Sequence, residues 1–247
     1  MLDPGAIRAL ELIGHRTWPS LEDEWRGGWL LRSGGGVTRR SNSASVVDAD
    51  DPILDLDERF DGIEEWFRAR GLPPIFRLTG LAAPGVDARL GERGYRRQQG
   101  AIIMTRDIDD SPVPLIAADL SAGPSEGWLE LMAREPGRGG AHRAVLEQML
   151  RRIELPHQYA GIDFDGRKVA IGLGVLDGES VALFMMQTVD ELRRTGLARR
   201  IAASLLEWAG RQGARRAFLQ VHPANAAGVA FYRAYGFEPR YEYWYRQ

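Results

Sequence analysis

The segment of this chain that most strongly indicates a chemical role is a turn at residues 193–198. It reads Arg-Arg-Thr-Gly-Leu-Ala, follows an apolar strand-like run at Val181–Met186 and opens a long amphipathic stretch. The first main-chain N–H groups of a helix have no partner within it, and the helix dipole adds positive charge there. Gly196 allows close approach of an anion. Four arginines add charge around the turn: Arg193, Arg194, Arg199 and Arg200. The pattern predicts a phosphate-binding turn.

Two motifs together resemble the signatures of the GNAT superfamily of N-acetyltransferases. The letters R-x-x-G-x-A at 193–198 are similar to its R/Q-x-x-G-x-G/A pyrophosphate-binding motif, with Ala198 in place of the commoner final glycine. Asn225, followed by Tyr232 just before a Gly-Phe turn at 236–237, resembles its second signature. Each motif alone is short, but both occur in the family's order with a helix and a strand between them.

The resemblance implies acetyl-CoA as co-substrate and no metal. The family fold separates two neighbouring parallel strands, and the pantetheine arm lies in the gap. By position, the strand backbone at Thr188 and Val189 would face that arm, Asn225 would contact it, and Tyr232 would lie near the sulfur. The pyrophosphate would be held by the main chain of Arg193, Arg194, Thr195, Gly196, Leu197, Ala198 and Arg199.

Acetyl transfer to an amine sets the chemistry that these residues must supply. Only about one lysine-like amine in a thousand is neutral at pH 7, and the departing thiolate needs a proton. Tyr232 is the expected acid, because a phenol can protonate sulfur and be reset by solvent. The base stays open among Glu191, His222 and Gln187 acting through an ordered water. We prefer His222, because it follows a strand at the rim of the expected cleft.

The chain repeats one plan at a shift of 142 residues. The aligned pairs are Glu65-Trp66 with Glu207-Trp208, Gly71 with Gly213, and Gly94 with Gly236. Such spaced matches indicate a duplication. We therefore predict an α+β fold of two GNAT-like domains, 1–112 and 113–247, each a mixed, mostly antiparallel sheet with flanking helices.

The phosphate-binding turn and the tyrosine have no counterpart in the first copy. Under the same shift, Asp51, Pro52 and Leu54 replace two arginines and the glycine, and Leu90 replaces the tyrosine. Carboxylates repel a pyrophosphate. We expect the first copy to be non-catalytic, to bind no CoA, and to serve packing or the shape of the acceptor cleft.

Composition excludes several classes of function. The 32 basic and 34 acidic residues give a formal charge of −2, so we expect neither a nucleic-acid nor a membrane partner. The absence of cysteine excludes disulfides, thiolate metal sites and a cysteine nucleophile. The four histidines lack ligand spacing. No apolar run reaches membrane-spanning length and the start does not resemble a signal peptide, so we expect a cytoplasmic protein.

Three glycine-containing segments have structural interpretations. The segment at 123–127 matches the G-x-S-x-G string of esterases, but no apolar strand precedes it, so we interpret Ser125 as a helix cap. The Gly-x-Gly at 172–174 falls within a predicted strand. Ser33–Gly36 is interpreted as a hairpin turn leading to a strand at Val37–Arg40, and Trp18, Trp25 and Trp29 are expected to seal the first core.

The sequence thus predicts an N-acetyltransferase that moves an acetyl group from acetyl-CoA to a primary amine by direct attack in a ternary complex. The acceptor can be a small molecule, a peptide or a protein, and a homodimer is possible. Two alternatives stay open. One is a non-catalytic acyl-CoA-binding sensor, and the other is a two-domain scaffold without ligand.

Overall fold

The computed structural model describes residues 2–50, 55–108, 116–135 and 138–247. The α-helices within them are α1 (Pro4–Thr17), α2 (Leu56–Arg68), α3 (Val86–Glu92), α4 (Glu126–Ala133), α5 (Ala141–Leu150), α6 (Leu197–Arg211) and α7 (Ala226–Ala234). The strands are β1 (Glu22–Arg26), β2 (Trp29–Ser33), β3 (Ala44–Val46), β4 (Phe76–Leu78), β5 (Arg97–Asp107), β6 (Asp119–Ser121), β7 (His157–Phe164), β8 (Arg167–Asp177), β9 (Ser180–Thr188), β10 (Arg216–Val221) and β11 (Glu238–Arg246). No described helix is both long and apolar enough to cross a membrane.

The chain forms two compact units. The first comprises Met1–Ile103, Val221–Val229 and Pro239–Gln247, and the second comprises Met104–Gln220 and Ala230–Glu238. The first unit therefore contains chain from both sides of the predicted boundary between residues 112 and 113. That boundary itself lies outside the described residues and stays a prediction.

The sheet of the second unit has the strand order β10-β9-β8-β7-β6. All neighbours are antiparallel except β9 and β10, which are parallel. Parallel neighbours need a crossover connection, and α6 supplies it. Hairpin turns lie on either side of β8, with positive φ at Asp165 (50°), Gly166 (71°) and Gly178 (58°). Ser125 caps α4 as predicted, because its hydroxyl accepts a hydrogen bond from the Trp128 N–H at 3.3 Å.

The sheet of the first unit has the order β1-β2-β3-β4-β11-β5. Its β3 and β4 are parallel and are joined through α2, whereas β1–β2, β2–β3 and β4–β11 are antiparallel. Each unit thus has a mixed, mostly antiparallel sheet with one helical crossover between parallel strands. The predicted α+β class is confirmed.

The core of the first unit lies between α2 and one face of its sheet. Asp55 caps α2, and one face of the helix buries Phe60, Ile63 and Phe67 completely. The ring of Phe60 meets Phe76 of β4 edge-on, with 5.4 Å between centroids. Such contacts add to the transfer of apolar area from water.

The segment after β2 differs from the sequence prediction. Residues 37–40 form no strand, and the next strand is β3, so the expected short hairpin was wrong. The Asn42 side chain holds a longer loop, because its Oδ1 accepts the N–H groups of Gly34 (2.9 Å) and Gly36 (2.8 Å), while its Nδ2 donates to the Val37 carbonyl (2.7 Å). These contacts replace strand pairing.

The three tryptophans that were expected to seal the first core differ in burial. Trp18 and Trp29 are fully buried as expected, but Trp25 is 53% exposed. Trp25 lies on β1, at the edge of the sheet, where an alternating pattern turns one face toward solvent.

Histidine 15 on α1 is a buried titratable group of the first unit. Its Nδ1 lies 3.3 Å from a guanidinium nitrogen of Arg32. Burial, and then the charges of Arg32, Arg77 and Arg16, hold the pKa of His15 well below its usual 6.5. The nearest carboxylate oxygen of Glu11 is 3.8 Å from Nε2. His15 is therefore neutral in the folded protein at pH 7.

We expect acid to destabilise the protein partly through His15. The unfolded chain binds a proton near pH 6.5, but the folded protein binds it only at lower pH, so the free energy of unfolding falls as pH drops below about 6.5. One such proton contributes a slope of at most about 1.4 kcal/mol per pH unit. His15→Asn keeps a side-chain acceptor but not the titration. Urea unfolding between pH 7 and 5 should show a shallower decline for the variant, and parallel curves would contradict this assignment.

Candidate active site

The parallel strands β9 and β10 stay paired for only part of their length. Registered pairs run from Ser180–Arg216 to Leu183–Leu219, and within the described residues they stop there, although β9 continues to Thr188. Past Leu183, the edge of β9 that faced β10 has no registered partner. Main-chain donors and acceptors on that edge are open to a ligand.

A β-bulge lies in β9 at the point where this pairing has stopped. The β8–β9 register shifts so that Met185 and Met186 together oppose the single residue Gly172. Met185 adopts a φ of 51°, which is rare for a residue with a side chain. A Cβ at Gly172 would lie 2.5 Å from Ile201 of α6, so glycine is required for α6 to pack this closely. The bulge bends the strand away from regular pairing and is a feature that sequence periodicity missed.

The turn between β9 and α6 is exposed and presents its main chain. Arg194 has a φ of 65° and Gly196 a φ of 91°. The first helical hydrogen bond of α6 runs from the Arg200 N–H to the Gly196 carbonyl at 3.1 Å. Within the described residues, the six consecutive N–H groups from Arg194 to Arg199 have no protein acceptor. A run of free N–H groups at a helix start, with left-handed residues before it, is an anion-binding arrangement.

The four arginines of the turn have different surroundings. Arg193 forms a 2.7 Å ion pair with Asp190, and both side chains are largely exposed. Arg200 donates to the carbonyls of Ile116 (3.1 Å) and Ala117 (3.2 Å), so its side chain holds that segment rather than facing the turn. Arg194 and Arg199 are exposed.

Sequence reasoning missed two residues that organise this site. Two guanidinium groups lie over the Tyr235 ring, that of Arg106 at 4.6 Å and that of Arg199 at 5.7 Å from the ring centroid. Arg106 also donates to the Tyr235 carbonyl at 2.9 Å. This stack fixes Arg199 beside the first turn of α6 and adds positive charge there. The aromatic letters before the Gly-Phe turn gave a signal for Tyr235, but Arg106 lies 129 residues away in sequence.

Two buried polar atoms near the end of β9 lack partners in the described structure. They are the Thr188 hydroxyl and the Gln187 side-chain carbonyl. The Gln187 amide nitrogen is engaged, since it donates to the Leu131 carbonyl at 2.8 Å. Buried polar atoms are seldom left unpaired in proteins. Both atoms are available to a ligand or an ordered water on the open edge of β9.

Tyr232 is packed among aromatic rings near the end of α7. Its ring meets Phe237 edge-on at 5.6 Å and lies 5.0 Å from Phe231. The Phe237 N–H donates to the Tyr232 carbonyl at 2.9 Å through a turn in which Gly236 has a φ of 84°. Burial raises the pKa of Tyr232 above its usual 10. The phenol therefore stays protonated at neutral pH, as an acid must.

His222 and Asn225 belong to the first unit, and their positions are described within it. The Asn225 Oδ1 accepts the Gly228 N–H at 2.9 Å and so caps the start of α7. The His222 Nδ1 accepts the Ala224 N–H at 3.1 Å, and the ring is exposed. Glu191 is exposed in the turn after β9. The roles assigned to these residues from the sequence stay predictions.

A cavity of about 370 Å³ lies elsewhere in the second unit, between α4, α5 and β7. It contains His157, which pairs with Val175 of β8, whereas Thr188 pairs with Ala170. The cavity and the open turn are therefore at opposite ends of β8. Within the described part of the chain, no group of three or more His, Asp or Glu side chains could hold a metal ion.

A family model described as "Probable histone acetyltransferase Rv0428c C-terminal" matches residues 5–246. The chain belongs to the GNAT family of N-acetyltransferases. Among curated GNAT relatives, the "Uncharacterized N-acetyltransferase YobR" of Bacillus subtilis is 29% identical over 252 residues, which cover 97% of this chain and 98% of that protein.

Solved structures share the GNAT fold. A GCN5-related N-acetyltransferase from Kribbella flavida superposes with a TM-score of 0.68 at 20% identity, covering 100% of this chain and 95% of its own. A tandem GNAT protein from the clavulanic acid biosynthesis pathway gives 0.63 at 16% identity, covering 96% and 86%. These similarities show the fold, and the chain is an acyltransferase of the GNAT type.

The capping role of Asn225 at α7 can be tested independently of any contact that this side chain makes with a ligand. Asn225→Ala removes the acceptor for the Gly228 N–H and should lower the free energy of unfolding by about 1 kcal/mol. Asn225→Asp keeps a capping oxygen and should leave stability within about 0.5 kcal/mol of the original. Urea unfolding of both variants measures this. Equal losses would show that the amide nitrogen, and not the capping oxygen, stabilises this region.

Proposed function

We propose that this chain transfers the acetyl group of acetyl-CoA to a primary amine by direct attack in a ternary complex. The observation that carries the proposal is the run of six N–H groups at the start of α6 that find no acceptor in the described part of the chain, beside the open edge of β9, in a GNAT-family chain. This arrangement supplies main-chain donors for a diphosphate and strand backbone for an extended arm.

The residues present fit that co-substrate. The main chain of residues 194–199 would hold the pyrophosphate, and Arg193 would add charge once released from Asp190. An exposed ion pair of that kind contributes little stability, so exchanging its partner has a low cost. The backbone of Thr188 and Val189, with the unpartnered Thr188 hydroxyl, would face the pantetheine arm. The amide nitrogen of Asn225 is the group left to contact the same arm, because its oxygen caps α7.

The chemistry that acetyl-CoA supplies when bound is an activated thioester. Tyr232 holds a proton at Oη, and within the described residues no protein group accepts it. A phenol kept neutral by burial is suited to protonate a departing thiolate whose conjugate acid has a pKa of about 8.5. Reprotonation from solvent resets the acid.

The base has three candidates. Gln187 lies at the open end of β9 with a free carbonyl oxygen, so it could hold a water that accepts the amine proton. His222 keeps Nε2 free, because the Ala224 N–H occupies Nδ1. Glu191 is exposed in the turn. Replacing each in turn and comparing kcat for one amine at one pH distinguishes them, because loss of the base removes general-base catalysis, typically about 100-fold or more, and leaves the ionisation of the amine unchanged.

The acceptor class is a primary amine on a small molecule, peptide or protein. The family model is named after a probable histone acetyltransferase, so lysine ε-amines of basic peptides are the first acceptors to test. The first unit is proposed to bind no CoA. The segment that would replace the phosphate-binding turn there, residues 51–54, lies outside the described residues. Leu90, in the place of the tyrosine, is fully buried in the apolar core.

Glycines at the two ends of α6 provide a matched test of the turn. Gly196 (φ 91°) and Gly213 (φ 93°) both have open space where a Cβ would be. Alanine at either position should therefore cost a similar strain, about 1 kcal/mol. Only Gly196→Ala changes the phosphate-binding turn, and we expect it to weaken acetyl-CoA binding at least about tenfold, or about 1.4 kcal/mol. Calorimetry on both variants measures the difference, and equal affinities would remove the turn from the donor site.

Tyr232→Phe tests the acid. The variant keeps the ring packing against Phe237 but has no proton to give, so kcat should fall roughly 100-fold or more while the Kd for acetyl-CoA changes less than about twofold. Tyr159→Phe, at another buried tyrosine of the second unit, is the control and should retain turnover. Thiol release with a panel of amines is the measurement. Undiminished turnover in Tyr232→Phe would exclude the role, and binding without turnover in the unaltered protein would favour an acyl-CoA sensor.

A further inference from the structure

The cavity between α4, α5 and β7 has apolar walls. It lies wholly in the second unit, has a volume of about 370 Å³ and is at the end of β8 opposite to the open turn. Its apolar lining residues are Ala122, Pro124, Leu129, Leu150 and Ile153. The last three are each 9% exposed or less. Walls of this kind favour a ligand whose body is apolar.

The wall that β7 contributes contains a tyrosine whose hydroxyl has no protein partner. Tyr159 lines the cavity and is 3% exposed. Its ring meets the Trp128 ring edge-on, with 5.1 Å between centroids, and the Trp128 indole N–H is anchored to the Ala160 carbonyl at 3.1 Å. Within the described chain, no group forms a hydrogen bond with the Tyr159 hydroxyl. Burial raises the pKa of Tyr159 to about 12, so at pH 7 the hydroxyl is a donor that lacks an acceptor.

His157, two residues earlier on β7, adds a complementary group to the same cavity. Residues two apart on a strand share a face, and the rings of His157 and Tyr159 meet edge-on with 5.5 Å between centroids. The His157 Nδ1 lies 2.8 Å from the Leu155 carbonyl oxygen, so Nδ1 carries the hydrogen. In the neutral ring Nε2 is then an acceptor, and it has no partner among the described residues. Neighbouring rings therefore offer one donor and one acceptor.

The charged residues of the lining, Glu147 and Arg151, are already engaged. The Glu147 carboxylate accepts a hydrogen bond from the Arg143 Nε at 2.7 Å, and a terminal nitrogen of Arg151 lies 3.8 Å from its other oxygen. The Arg151 side chain is 68% exposed, so water screens its charge. A charged ligand would have to disrupt these pairs or carry its own charge into apolar surroundings. The lining thus favours a neutral ligand.

The volume of the cavity indicates the size of this ligand. A cavity of about 150 Å³ is enough for benzene, so one of about 370 Å³ has room for two fused aromatic rings and a polar substituent. The rings of Tyr159 and His157 favour an aromatic body, because edge-on contacts between rings add to the burial of apolar area.

We propose that this cavity binds a neutral aromatic alcohol of two fused rings, whose hydroxyl accepts a hydrogen bond from Tyr159 and donates one to the His157 Nε2. A hydroxyl is both donor and acceptor, so one group satisfies both side chains. A carboxylate can only accept, and it would meet the lone pair of Nε2. The site is separate from the proposed donor site and does not depend on the proposed transfer reaction.

The test is equilibrium dialysis of the full chain at pH 7 against naphthol, naphthalene and naphthoate. Naphthol is neutral at this pH, since phenols have a pKa of about 10. We expect naphthol to bind at least about tenfold more tightly than naphthalene, which forms neither hydrogen bond, and than naphthoate, which is charged. Tyr159→Phe removes only the unpartnered hydroxyl. It should weaken naphthol binding about fivefold and leave both naphthalene binding and the Tm of the free protein unchanged.

A second variant and two controls locate the site. His157→Asn keeps a donor for the Leu155 carbonyl but has no acceptor in the place of Nε2, so it should also weaken naphthol binding about fivefold. Gly196→Ala and Tyr232→Phe, both in the proposed donor site, should keep the naphthol affinity. The proposal is overturned if naphthol does not bind, if naphthalene or naphthoate binds as tightly, or if Tyr159→Phe and His157→Asn leave the naphthol affinity unchanged.

Discussion

The six consecutive main-chain N–H groups between β9 and α6 are the constraint on which the second unit depends. A helix cannot satisfy its own first donors, and here the residues before it are held in left-handed conformations that turn further donors outward. Arg194 carries a side chain in such a conformation, which costs about 1–2 kcal/mol. Strain of this kind persists only where the surrounding structure enforces it.

The surrounding structure that enforces this strain is the packing of α6 against the sheet. The helix is buried along one side against β8 and β9, with Ile201 and Leu205 fully enclosed, so its start cannot move to relieve the turn. Arg200 secures the same end to the carbonyls of residues 116–117. The start of α6 is therefore held in place, and its main-chain N–H donors are already oriented for an anion. Preorganised donors avoid the cost of ordering on binding.

Features that depend on residues close together in the sequence were predictable, whereas features that depend on contacts between distant segments were not. The start of α6 and the cap at Ser125 follow from residues within a few positions of one another, and both were predicted correctly. The bulge at Met185 depends on the close packing of Gly172 against α6, which no local pattern encodes. The contact of Arg106 with Tyr235 joins distant segments. Burial of Arg32 and Arg77 likewise contradicts the usual preference of arginine for solvent.

The path of the chain through the first unit has a consequence for its synthesis. The strand β11 pairs with β4 of that unit, but in chain order it follows nearly all of the second unit, Met104–Gln220 and Ala230–Glu238. The first unit's sheet therefore cannot close until the ribosome has made β11, and β4 keeps an unpaired edge while the second unit is synthesised. Domains ordinarily fold as units in the order of their synthesis. Here the second unit can fold before the first is complete, and the open edge of β4 is accessible to chaperones in the meantime.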